Sequence, residues 1–142
     1  MKEKIAIVSE ALTEDSLNVL FEVDNIQKKI PAELYLEEPE NSEKAYKKLL
    51  RKSKKVLETL FYKDELSRII DEVAVEITES AYEGELRAEE YINLKQDLSI
   101  SSIQFFEEEL IIVFLSPKIF LKNTINVQTD YSLEIEDLNI DM

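Results

Sequence analysis

The chain has 142 residues, 44% of them apolar and 34% charged, with a net charge of −14. That is enough for one domain, residues 1–142, with one core, and it lies outside the composition of disordered or fibrous chains. Cysteine and histidine are both absent, which excludes disulfides, thiolate metal sites and every Ser-His-Asp or Cys-His arrangement. A carboxylate-only metal site or a paired-carboxylate glycosidase stays open, but 31 acidic residues form carboxylate clusters by chance, and no catalytic residue, metal ligand set or cofactor is expected.

The N-terminus, MKEKIAIVSEALTED, holds an apolar stretch from Ile5 to Val8, shorter than the roughly seven residues that a signal-peptide core needs. No apolar run approaches the roughly 18 residues that span a bilayer. A cytoplasmic protein with no membrane partner is expected. Ile5 to Val8 reads as an edge strand or an extended arm.

From Leu17 the chain alternates as a half-buried strand does, with Leu17, Val19, Phe21 and Val23 on one face and Asn18, Glu22 and Asp24 opposite. DNIQKK turns it. Ile30, Ala32, Leu34 and Leu36 then form the inner face of a returning strand, with Glu33, Tyr35 and Glu37 outward. Next comes a helix that Asn41 or Ser42 can cap, with Tyr46, Leu49, Leu50, Leu57, Leu60 and Phe61 at helical spacing. A second helix turns Leu66, Ile69, Ile70, Val73, Ile77 and Ala81 inward and ends at Gly84, and a short third one covers RAEEYINLKQ. After Asp97 the period falls to two, predicting strands at about Leu98–Phe106, Leu110–Leu115, Thr124–Gln128 and Leu133–Leu138. The fold class is α+β: an antiparallel sheet with two or three helices on one face, in the order β-β-α-α-(α)-β-β-β-β.

Charge is unevenly spread. Residues 41–63 hold eight basic side chains against Glu43 and Glu58, a balance of +6, which leaves −20 on the rest. The basic helix reads either as a binding face or as a solvated face whose lysines offset acidic neighbours. So acidic a remainder would repel a phosphate backbone, and the helix lacks aromatics on its polar side, so nucleic acid is not expected as a partner. The acidic bulk suits a basic protein partner.

Glu107, Glu108 and Glu109 sit between two apolar strands and read as a hairpin turn, either a solvated knuckle or a contact for a cationic surface. The segment from Arg87 to Ile140 resembles the C-terminal half of a bacterial family of small domains that recurs among polymorphic-toxin immunity proteins. In that family an acid-initiated helix with an aromatic leads into a strand matched here by Leu98 to Phe105, then an acidic turn and an apolar strand. The family's next segment, Asp-Gly-Asp-Leu-Phe-Trp-Gly-His-x-Ile-x-Val, is represented by Ser116 to Val127. Its apolar frame is kept at Ile119, Phe120, Ile125 and Val127, while both Asp, both Gly, the Trp and the His are replaced. Phe120 is expected as a core anchor, with Lys118, Lys122 and Asn123 at the rim.

The resemblance and the charge map together imply an immunity protein that binds a cognate toxin, a basic nuclease domain for example, by stoichiometric occlusion. The expected partner-binding residues are Glu107, Glu108, Glu109, Asp130, Glu134 and Glu136, with Tyr131 as an aromatic anchor; each also fits ordinary solvation of a sheet edge. The alternative is a non-enzymatic adaptor or regulatory module that binds another protein through the sheet edge or the helix pair.

Overall fold

In a computed structural model the described residues are 4–37, 42–81 and 88–141. The elements run β1 (Ile5–Leu12), β2 (Leu17–Val23), β3 (Lys28–Leu34), α1 (Ser42–Tyr62), α2 (Glu65–Ala81), α3 (Ala88–Asp97), β4 (Ser99–Phe105), β5 (Leu110–Ser116), β6 (Phe120–Thr129) and β7 (Ile135–Asp141). The fold is α+β, with three helices and one seven-stranded sheet in the spatial order β1 to β7.

Two features correct the expected order. Ile5–Leu12 is a full edge strand that pairs with β2, so three strands rather than two precede the helices. The sheet is also not wholly antiparallel: β3 and β4, on either side of the helical segment, pair in parallel through Ala32–Ile103, Glu33–Gln104 and Leu34–Phe105. A crossover between adjacent parallel strands needs a long connection, and the three helices supply it.

Alternation places the core on one face. Val19, Phe21 and Val23 meet Ile30, Ala32 and Leu34, and the same layer continues through Ile103, Phe105, Leu110, Ile112, Phe114, Ile125 and Val127, all buried. Both N-terminal inner faces stand as the alternation predicts. In α1 the expected Tyr46, Leu49, Leu57 and Leu60 are buried, while Leu50 and Phe61 pack half-buried against the core. Val56 and Ser53 are buried too, because α1 touches α2 as well as the sheet. Ser53 satisfies its hydroxyl by donating to the Leu49 carbonyl at 2.8 Å. In α2, Ile69, Val73, Ala74 and Ile77 are buried. The expected caps at Asn41 and Gly84 lie outside the described residues, as do the side chains of Ser42 and Ala81.

Asp64 joins α1 to α2 with φ of 59°, left-handed backbone that an aspartate tolerates, and its Oδ1 accepts the Ser67 hydroxyl at 2.7 Å. One residue thus ends one helix and begins the next. Phe120 is half-buried against the core, Lys118 and Lys122 are exposed, and Asn123 donates to the Asp141 carbonyl at 3.1 Å. β6 starts four residues before the expected Thr124, beyond a register shift at Leu115/Ser116. β7 starts at Ile135 rather than Leu133, for a reason that belongs to the turn before it.

Candidate protein-binding rim

Leu34, Phe105, Leu110, Thr129 and Ile135 form one row across neighbouring strands. The β4–β5 hairpin and the β6–β7 turn therefore emerge side by side at the same end of the sheet, next to the end of β3. This alignment brings Glu107, Glu108 and Glu109 together with Asp130, Tyr131 and Glu134.

The hairpin closes through the Phe106 amide, which donates to the Glu109 carbonyl at 2.8 Å. No glycine or asparagine is present, and outside contacts hold the bend instead. The Phe106 ring stacks on Tyr35 at 5.1 Å. Glu107 accepts the Glu37 amide on its carboxylate at 3.2 Å, and its carbonyl accepts Lys52 Nζ from α1 at 2.9 Å. Gln128 Nε2 donates to Glu109 at 3.5 Å. Glu108 stays exposed.

The β6–β7 turn is built by Asp130. Its Oδ1 accepts the amides of Ser132 at 2.9 Å and Glu134 at 3.0 Å, an Asx-type turn. Leu133 adopts φ of 64°, costly for a leucine, and is held there by burial and by Arg68 Nη2, which donates to its carbonyl at 2.7 Å. That turn is why β7 begins two residues later than apolar spacing predicts.

Tyr131 ties the two loops together. Its hydroxyl donates to the Phe106 carbonyl, and Lys52 Nζ lies 4.4 Å from the centre of its ring. Burial, and after it the charges of Glu108 and Glu109, hold its phenol proton well above the usual tyrosine range.

The expected residues therefore divide. Glu108, Glu134 and Glu136 are exposed, and Glu107 and Glu109 partly so. The Asp130 carboxylate is occupied by its own turn, and Tyr131 is a half-buried brace whose hydroxyl and ring are both engaged. Glu136 stands beyond the turn, in the edge strand β7. Lys52, Lys48, Arg68, Tyr35 and Glu37 take part without having been singled out from the sequence; Lys48, Lys52, Leu36, Leu49, Glu107 and Glu108 line a cleft of about 210 Å3 between α1 and the hairpin. Among the described residues no group of three carboxylates could hold a metal ion, and no helix is long and apolar enough to cross a membrane. Comparison with protein-family models, curated proteins and solved structures finds no match.

Proposed function

We propose that this chain is an immunity protein that binds a basic toxin domain stoichiometrically and occludes its working surface. The observation that carries the reading is the pair of acidic loops at one sheet end, cross-tied by Tyr131 and Lys52. Loops already held in place lose little freedom on binding, so their carboxylates can meet a cationic surface without a large ordering cost. Their charge speeds encounter with a basic partner and disfavours acidic ones. Lys52 supports the backbone of Glu107 and leaves the Glu108 carboxylate outward. Its place fits a lysine-rich helix that partly offsets its own acidic neighbours.

The test is co-expression with the toxin domain encoded beside this gene. A one-to-one complex that suppresses the toxin's activity and associates more slowly as salt rises is the expected result. A neighbouring product that is not bound, or is bound without being inhibited, removes the reading.

A further inference from the structure

The β7 edge carries features that the rim does not account for. Among the described residues β7 pairs with β6 alone, so its outer side offers unpaired backbone donors and acceptors along Asp137–Asp141. From Asp137 to Asp141 the register is unbroken. Both edges carry a register shift, a device that hinders addition of a strand: in β1 it falls inside the strand, between Ile7 and Ser9, whereas in β7 it falls at Glu136, beside the β6–β7 turn, and leaves the run from Asp137 to Asp141 whole.

Side chains along β7 divide cleanly. Ile135, Leu138 and Ile140 are half-buried against the core, whereas Glu136, Asp137, Asn139 and Asp141 are exposed. The helix-side face of the edge is thus a partly uncovered apolar ledge beside a line of acids. None of the carboxylates of Glu136, Asp137 and Asp141 has an ion-pair partner among the described residues. A second copy of this chain would set acid against acid along the edge, so like charge disfavours self-pairing while leaving the edge open to a strand of opposite charge.

We infer that β7 takes an extended segment of the partner as an eighth strand, its side chains alternating between basic and apolar. The added backbone would complete the hydrogen-bond ladder, its apolar side chains would cover Leu138 and Ile140, and its lysines or arginines would lie along Asp137 and Asp141. Glu134 leads directly into this strand, so rim and edge form one acidic line that a basic protein can follow. The inference rests on the reading of a basic protein partner and adds the mode of binding.

The probe is a peptide of roughly ten residues of alternating lysine and valine, long enough for one strand, with a twin whose backbone amides are N-methylated and whose charge is unchanged. Both are titrated against the full chain, and amide hydrogen exchange is followed. The unmodified peptide is expected to protect the β7 amides that do not bond to β6, and to bind about tenfold more tightly than its twin. Combined E136K, D137K and D141K changes, all at exposed positions, should weaken it by about the same factor, whereas E107Q, E108Q and E109Q should leave the β7 protection in place. Equal binding of the twin would reduce the effect to bulk charge attraction and overturn the inference, as would protection confined to β1 or absent altogether. A toxin held at the rim without β7 protection keeps the immunity reading and removes the added strand; peptide addition at β7 with no inhibited toxin does the reverse.

Discussion

Replacing Leu57 with alanine tests how α1 is seated. Leu57 is 0% exposed, in the C-terminal half of a helix that contacts both α2 and the N-terminal strands. The substitution removes three carbons, a transfer loss of about 2.4 kcal/mol at about 0.8 kcal/mol each. A residual void of roughly 40 Å3 would add about 1 kcal/mol. Alanine's better helix propensity returns only about 0.2 kcal/mol. The expected loss is about 3 kcal/mol, a large part of a total stability on the order of 5–15 kcal/mol, and a fall in Tm of about 6 to 12 °C. Urea unfolding followed by circular dichroism measures it, with an unchanged m-value showing that the folded and unfolded ensembles remain comparable. A loss below about 0.5 kcal/mol would mean that the helix faces are assigned backwards.

Three further outcomes are expected. Changing Glu107, Glu108 and Glu109 together to glutamine keeps their acceptor atoms, so unfolding should be unchanged while association with a basic toxin slows and becomes less salt-dependent; stopped-flow titrations at several ionic strengths would expose the error if the rates were identical. Tyr35 is pushed up to about 12, first by its hydrogen bond to Glu33, then by burial and by the charges of Glu33 and Asp15. Because the folded chain keeps that proton longer than the unfolded chain, this contribution is complete below about pH 10 and is lost as pH rises toward 12. Burial raises Tyr46 and Tyr131 as well, so the variant Glu33→Gln isolates Tyr35: it should flatten the alkaline limb of a pH series of urea midpoints, and an unaltered limb would count against the assignment. Lys48→Ala and Lys55→Ala, both exposed, should shift stability by less than about 0.5 kcal/mol in the same unfolding assay.

The inner faces of β2, β3, β4 and β5 were legible because period-two alternation and one-sided burial are the same fact seen twice. β1 was obscured by Ser9 and Glu10, polar residues that an edge can leave in water. Val56 escaped because a helix held on two sides buries a wider arc than one spacing rule describes. At Leu133 the apolar pattern misled, since a left-handed turn residue pinned by Arg68 mimics an inward strand position. Of the rim, the triple glutamate announced its own bend, but its meeting with residues 130–134 depends on strand order, and the brace role of Tyr131 depends on a carbonyl 25 positions earlier. Neither leaves a local trace.

The parallel junction of β3 with β4 has a kinetic consequence. β1 to β3 and β4 to β7 are each joined by short turns, so either group can assemble from hairpins on the scale of microseconds. The seam that welds them must bring Ala32 to Ile103, and closing so long a loop costs entropy before any ladder bond is gained. Folding should therefore wait at this seam, with both halves formed and the helical segment drawn in to span them. In the native state the same seam is where the sheet would first part, and the β4–β5 hairpin would leave Tyr35 and Glu37 behind when it did.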